Sequence, residues 1–338
     1  MIMKVVRAEE AVGKVLACDV SMISDSFKGA ILKHGHVLSA SDIEVLKRTG
    51  HSYVYVYDES ERSSRELHEI QAVLELGKYV SGKGVVVTEG EEGKAILKSS
   101  VSGLLKVNGE GLRKINSTGV YVVTTKRGGS AIKEGGIAGI VDLIPLTIPG
   151  DYLEHLKAEL KSHLPIVEVR PFRKLRIGVI ITGTEVFEGL VEDKVLPVVE
   201  EKVREYGGLV EDVVKVPDDS DLIKEASVRL LDRNDALILT GGMSVDPTDL
   251  TPRSIAEVAE DIIMYGIPVK PNTMSMVAYA RGKALIGVSS AIIYFRRWNI
   301  LDVLLPWVMA GERINREYLI SLGEGGLSDE FIKGKGWY

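Results

Sequence analysis

The chain has 338 residues, 45% of them hydrophobic, enough for roughly two domains of about 150 residues each with sizeable cores. Its 42 Lys and Arg against 48 Asp and Glu leave a net charge of −6 and a pI near 5.7, which excludes a broad electrostatic footprint for nucleic acid or an acidic membrane. Cys18 is the only cysteine, so no internal disulfide or thiolate zinc cluster is available, in keeping with a reducing cytoplasm.

At the amino terminus, residues 1–20 mix Lys4, Arg7, Glu9, Glu10 and Lys14 among apolar positions, which suits neither a signal-peptide core nor a membrane span. The expectation is an unexported cytoplasmic protein. The first half is β-rich: "HSYVYVYD" (His51 to Asp58), "GKGVVVTEG" (Gly82 to Gly90) and "GVYVVTTKRGG" (Gly119 to Gly129) are short strands between glycine turns, suggesting small barrels or curled sheets. Helical patches at 41–49 and 64–76 interrupt them, giving an α+β texture. His34 and His36 alternate without an acidic or cysteine partner nearby, which argues against a metal pair, and His155 and His163 read as surface positions. Two prolines and mixed charge in "SHLPIVEVRPFRK" (Ser162 to Lys174) mark a boundary, so an amino-terminal region (1–62) and a β-rich inserted region (63–165) are expected before it.

Beyond the boundary, strand and helix alternate as in a three-layer α/β domain with a mostly parallel sheet, spanning 171–315. "KLRIGVIIT" (Lys174 to Thr182) is its first buried strand. A helix follows within Asp193 to Gly208, then a strand at Leu209 to Val216, and a helix around Leu222, Ile223, Ala226 and Leu230 capped by Asp219 or Ser220. Asp235 to Thr240 is the third strand. Thr251 and Pro252 open a helix in "TPRSIAEVAE", "SMVAYARGKALIGVSS" (Ser275 to Ser290) makes two strands around Arg281 and Gly282, and Ala291 to Ala310 is the last helix despite Pro306. The tail (316–338) is glycine-rich and expected to be loose unless Trp337 or Tyr338 docks.

Two strand ends carry glycine and acid together: "TGTEVFEG" (Thr182 to Gly189) and "TGGMSVDPTD" (Thr240 to Asp249). Loops after parallel strands emerge on one edge, so Thr182, Gly183, Glu185, Thr240, Gly241, Gly242, Ser244, Asp246 and Asp249 are candidates for one ligand pocket. Glycine backbone N–H groups and a helix amino terminus suit a phosphate, and the nearby carboxylates, Glu185 and Asp249 first, would need Mg²⁺ to tolerate it. "GIPVKPNTM" (Gly266 to Met274) adds Lys270, held between two prolines, as a further anion contact. Simpler roles exist for the same residues. Asp249 and Thr251 stand where a helix cap belongs, Asp246 can initiate a turn before Pro247, Glu185 can be a solvated loop acid, and Lys270 can be a surface lysine. There is no Walker A pattern, complete dinucleotide fingerprint or HExxH.

With "VIITGTEVFEG", "LILTGGMSVDPTDLTP", "PVKP" (Pro268 to Pro271) and "LPWVMAGE" (Leu305 to Glu312) in this order over about 140 residues, the second half resembles the molybdopterin-binding domain of molybdenum-cofactor biosynthesis proteins. "GKVLACDV" (Gly13 to Val20) and residues 35–57 resemble the outer domains of molybdopterin molybdotransferases. The resemblance implies molybdopterin or a related pterin as ligand, Mg²⁺, a homodimer, and Glu185, Asp249 and Lys270 lining the pterin-phosphate and metal pocket. Thr184 and Pro247 stand where the transferases usually have acids, "NTM" replaces a Gly-Lys-Pro, Ser289 and Ser290 replace a Pro-Gly, and no counterpart of the transferases' extra carboxyl-terminal domain is expected. The expected function is therefore binding of the pterin, with an active molybdotransferase as one alternative. "DPTDLT" also resembles the competence-damage-inducible branch, which implies a nucleotide pyrophosphatase as another, with Leu250 replacing that branch's usual extra acid.

Overall fold

Along the strand Arg176–Thr182, successive side chains serve two different cores: Ile177, Val179 and Ile181 join one, and Ile180 joins the other. The same division recurs in Ala236–Thr240, where Ala236 and Ile238 face one side and Leu237 and Leu239 the other. A period-2 strand with apolar residues at every position can be buried only in a sheet covered on both faces. In the computed structural model, which describes residues 2–25, 27–58 and 66–336, this sheet forms the centre of the second of two units, residues 102–104, 129–131 and 170–338.

The sheet has six strands in the order Leu209–Val216, Arg176–Thr182, Ala236–Thr240, Lys283–Val288, Met276–Ala280, Asp261–Tyr265. The first four are mutually parallel and the last two pair antiparallel. Helices Leu196–Glu205 and Ile300–Ala310 bury Val199, Val203, Leu301 and Leu304 in the core on one face. Ser220–Arg233 and Thr251–Val258 bury Ile223, Leu230 and Ile255 in the core on the other. This is the three-layer, mostly parallel α/β architecture expected from the sequence. From the strand Arg176–Thr182 the chain crosses to its neighbour on one side, then returns to its neighbour on the other. The loops after Thr182 and Thr240 therefore diverge, and a crevice opens between the carboxyl ends of the two strands.

Several expectations are corrected. The helix expected over 291–310 is a 3₁₀ turn, Ser290–Tyr294, followed by Ile300–Ala310. Asn299 separates them because its side chain accepts from the Leu301 N–H while Asp302 accepts from the Asn299 N–H, a reciprocal cap that starts a new helix. The tail is not loose: Asn315 caps a helix at Arg316–Ser321, and Ser328 caps another at Asp329–Gly334. Trp337 and Tyr338 lie outside the described residues. The helix from Thr251 stops at Val258, and Asp261–Tyr265 is an edge strand that the hydrophobic pattern alone did not mark.

The first unit comprises residues 1–101, 105–128 and 132–169. Near its amino terminus, Ile2–Arg7 pairs antiparallel with Tyr53–Asp58, and Val20–Ile23 with Lys28–Leu32. The helix Ala40–Arg48, closed by a Ser39–Asp42 capping box, places Ile43 and Leu46 in a core with Val6, Leu16, Leu38, Val54 and Val56. A second core lies under an open antiparallel sheet ordered Val85–Glu89, Ala95–Ser99, Ile137–Leu143, Tyr121–Thr125, against which Glu69–Val80 packs. The β-rich α+β region expected here is present, with an open sheet in this part. The helix expected at 64–76 begins later: Glu66–His68 is a strand, and residues 59–65, including the boundary expected at 62–63, lie outside the described residues. Folding also gives both histidines an acid that is not apparent from the sequence. His34 Nδ1 lies 3.4 Å from Asp19, which faces it across the strand ends, and His36 Nε2 lies 2.9 Å from Asp42. Among the described residues, no helix is long and apolar enough to cross a membrane.

Candidate functional site

The crevice is a cavity of about 510 Å³ lined by Thr182, Gly183, Glu185, Thr240, Gly241, Gly242 and Asp249, together with residues from three other loops. Its floor is tightly specified. Gly241 has φ +95°, and a β-carbon there would lie 2.3 Å from the Thr182 carbonyl oxygen. Gly242 has φ +51°, in the left-handed region, with Thr251 Oγ1 3.0 Å from where its β-carbon would be. Thr182, itself buried, donates from Oγ1 to the Thr240 carbonyl at 3.2 Å and lies 3.0 Å from Thr251 Oγ1. These contacts knit the two strand ends and the helix Thr251–Val258 together. Thr240 is fully buried, and its Oγ1 has no hydrogen-bond partner among the described residues.

The helix-capping alternative for Asp249 and Thr251 does not hold. Leu250 occupies the cap position without a side-chain bond, the Thr251 hydroxyl faces Thr182, and Asp249 Oδ2 accepts from the Ser244 N–H at 2.8 Å. Asp249 thus closes its own loop and lines the cavity. Burial, reinforced by the negative charge of Asp249, pushes the Tyr265 phenol up; the Tyr265 hydroxyl donates to the Met243 carbonyl at 2.8 Å and pins the loop from outside. Asp246 follows the turn reading: Oδ1 accepts from the Thr248 N–H and hydroxyl at 3.0 and 2.6 Å, which hold its carboxyl below its ordinary range. It does not line the cavity.

Ser244 and Lys270 line a second cavity of about 770 Å³, with Asn272, Ser289, Phe295 and Phe331 among its other walls. Ser290 and Tyr294 line both cavities. Seven of the ten candidate residues are thus gathered in the first cavity, two lie in the second and one in neither.

Asp218 is a lining residue that the sequence reading missed. Its Oδ2 accepts from the Thr184 N–H at 2.9 Å and the Thr184 hydroxyl at 3.3 Å, while the Asp218 N–H donates back to Thr184 Oγ1 at 3.2 Å. The signal was available, because Asp218 closely follows the parallel strand Leu209–Val216 and so stands on the same sheet edge as the other two loops. Glu192, Asp193 and Lys194 also line the cavity. Asp193 serves the fold, accepting from the Val195 and Leu196 N–H groups at 2.9 and 3.2 Å. The lining holds five carboxylates, those of Glu185, Glu192, Asp193, Asp218 and Asp249, against the single ammonium of Lys194. Among the described residues, no three or more His, Cys, Asp or Glu side chains are grouped to hold a metal ion by themselves.

Residues 178–301, which span both strand-end loops and most of both cavities, match the family model described as a probable molybdopterin binding domain. This segment is a domain of the molybdopterin-binding family. A second model, for a domain of unknown function, matches residues 5–58. A CinA-like protein of Citrifermentans bemidjiense is 36% identical over 85 residues, 25% of this chain and 20% of that protein. A molybdopterin molybdenumtransferase of Staphylococcus epidermidis is 30% identical over 131 residues, 36% of this chain and 31% of that enzyme. The chain thus spans less than a third of the length of either relative. Among solved structures, the molybdopterin biosynthesis enzyme MoaB from Thermus thermophilus is 18% identical, covering 41% of this chain and 98% of its own, with a TM-score of 0.35.

Proposed function

We propose that the molybdopterin-binding-family domain binds molybdopterin, or a related phosphorylated pterin, in the strand-end cavity with the help of Mg²⁺, and that the protein serves molybdenum cofactor biosynthesis or handling. The observation that carries this reading is the pairing of a glycine-floored crevice at the switch point of a parallel sheet with an excess of carboxylates. Glycine floors let a ligand approach the backbone closely, and the helix end beyond Leu250 favours negative charge. A bare phosphate 4 Å from one carboxylate is repelled by about 4 kcal/mol at an effective dielectric of 20, so five acids make a cation necessary. Mg²⁺ suits this arrangement because it takes one or two carboxylates and fills its remaining positions with phosphate oxygens and water. Glu185 and Asp249 are the two carboxylates assigned to it. Asp218, hydrogen-bonded to Thr184, restores an acid beside a position where the transferases carry one.

A second reading, turnover, is favoured by the molybdopterin molybdenumtransferase among the relatives, and the "DPTDLT" run keeps a nucleotide pyrophosphatase as a further alternative. The substitutions at Thr184, Pro247, 272–274 and 289–290 remove groups that would stabilise developing charge more than they remove ground-state contacts, so binding is ranked first. The protein is further proposed to act as a cytoplasmic homodimer. The test is the Mg²⁺ dependence of molybdopterin binding in wild type and in an E185Q/D249N double variant. Wild type should bind more tightly with Mg²⁺, and the double variant should lose that gain. A gain preserved in the double variant would remove both residues from the metal site. Release of AMP from adenylylated molybdopterin on adding molybdate, or hydrolysis of a dinucleotide, would move the assignment from carrier to enzyme.

A further inference from the structure

One wall of the second cavity comes from outside the matched domain. Phe331, Gly334 and Lys335 belong to the helix Asp329–Gly334 and the residue after it, whereas the family match ends at residue 301. The approach to this helix is fastened to the lysine loop. The Lys270 N–H donates to the Gly326 carbonyl at 2.7 Å, and the Ser328 N–H donates to the Lys270 carbonyl at 3.1 Å, a parallel bridge of Lys270 with Leu327. Gly326 makes this approach possible: a β-carbon there would lie 2.3 Å from the carbonyl oxygens of both Leu322 and Pro268.

The wall has a definite chemistry. The rings of Phe331 and Phe295 lie 5.7 Å apart between centroids, inclined at 37°. Lys270 Nζ and Lys335 Nζ lie 5.7 and 5.8 Å from the Phe331 centroid, so two ammonium groups flank one aromatic ring. Asn272, 7% exposed, donates from Nδ2 to Ser289 Oγ at 3.1 Å, while its Oδ1 has no hydrogen-bond partner among the described residues. A buried amide oxygen without a donor is costly, and a ligand N–H would satisfy it. Aromatic faces accept a planar ring, and paired ammonium groups accept an anion.

We propose that the carboxyl-terminal segment, through Phe331 and Lys335, completes a compartment for a planar, N–H-bearing heteroaromatic ring with an anionic substituent. Phe331 and Phe295, in contact with each other, form an aromatic wall against one side of the ring, Asn272 Oδ1 accepts its N–H, and Lys270 and Lys335 face the anion. This rests on the pterin reading and adds that residues outside the family domain decide which ring is retained.

The probe is the fluorescent anion pterin-6-carboxylate, titrated into the full chain, wild type and the variants F331L, K335Q and G326A, with melting temperatures measured alongside. Wild type should bind one equivalent. F331L and K335Q should each weaken binding roughly five- to tenfold at unchanged melting temperature, a loss in line with one aromatic or cation contact. G326A, which displaces the whole segment, should weaken it at least as much. Absence of binding to wild type, or unchanged affinity in both F331L and K335Q, overturns the proposal. If these two variants keep full affinity for molybdopterin while E185Q/D249N loses its Mg²⁺-dependent gain, the tail assignment fails and the strand-end reading stands. If they lose pterin-6-carboxylate while E185Q/D249N binds molybdopterin as wild type does, the tail assignment stands and the cation reading fails.

Discussion

A β-carbon on Gly241 would lie 2.3 Å from the Thr182 carbonyl oxygen and 2.7 Å from its hydroxyl, at a backbone φ of +95° that other residues avoid. The carbonyl clash and the φ angle both belong to the backbone, so neither is relieved by a side-chain rotation. Gly241→Ala should cost about 2 kcal/mol or more in a denaturant melt and abolish ligand binding, because the two strand ends must separate to admit the methyl group. A variant with wild-type stability and affinity would show that the floor is not as rigid as described. In the first unit, Glu69 is half-buried and packed where Gly93 leaves room, its carboxyl carbon 2.4 Å from the place of a Gly93 β-carbon. Burial first, then the Asp19 charge, raise its pKa from 4.5 to about 7, with His34 opposing. A carboxyl raised on folding leaves stability intact below pH 4.5 and takes it away as pH rises through 7. Glu69→Gln should therefore match wild type at pH 4 and exceed it at pH 8 by about 1 kcal/mol, a figure reduced for solvent screening. Equal stability of the two proteins at both pH values would contradict the burial argument. The glycines of the cavity floor were readable because a glycine pair directly after a buried strand signals close backbone approach. Asp218 carried only the weaker signal of its place after the parallel strand Leu209–Val216, and its hydrogen bond to Thr184, across 34 residues of sequence, was not readable.

The elements that read most cleanly from the sequence are the strands buried on both faces, since an unbroken apolar run of five to seven residues has few alternatives there. Helix limits read less well. The break before Ile300 depends on the Asn299–Asp302 cap, which is invisible to hydrophobic periodicity because Ile292 and Ile300 on either side of it are both buried. Likewise the tail's glycines suggested a loose end, whereas Asn315 and Ser328 start helices within it. The helices Leu196–Glu205 and Ile300–Ala310 share a polar fastening. Lys202 Nζ, in a residue 3% exposed, lies 2.6 Å from Asp302 Oδ1 and 2.9 Å from the Arg297 carbonyl, and the Tyr206 hydroxyl donates to the same Asp302 oxygen at 2.7 Å. Removing one partner strands a buried charge. Lys202→Met should destabilise the protein by about 3–5 kcal/mol, and adding Asp302→Asn should recover part of that loss. A Lys202→Met protein that melts with wild type would show that the pair is dispensable.

At the scale of the whole molecule, the chain joins a molybdopterin-binding-family domain to a β-rich first unit whose residues 5–58 match the model of a domain of unknown function. The fold class was legible because alternation of strand and helix with short connections leaves few architectures. The two cavities were not, since their separation depends on where Ser290 and Tyr294 stand, at a 3₁₀ turn that the sequence presents as ordinary helix. Asn272 and Ser289, 17 residues apart in sequence, meet in the wall of the second cavity, Asn272 Nδ2 donating to Ser289 Oγ at 3.1 Å. The homodimer proposal predicts twice the 36.9 kDa chain mass by light scattering at micromolar concentration; a monomer would contradict it.

The central claim is that the strand-end crevice is a site for a phosphorylated pterin assisted by a cation. Anaerobic calorimetric titration of the full chain with molybdopterin, with and without Mg²⁺, tests it most directly. Saturable binding of one equivalent per chain, tighter with Mg²⁺ and lost in Gly241→Ala, is the predicted result. Absence of binding in both conditions, or equal binding by Gly241→Ala, would contradict it.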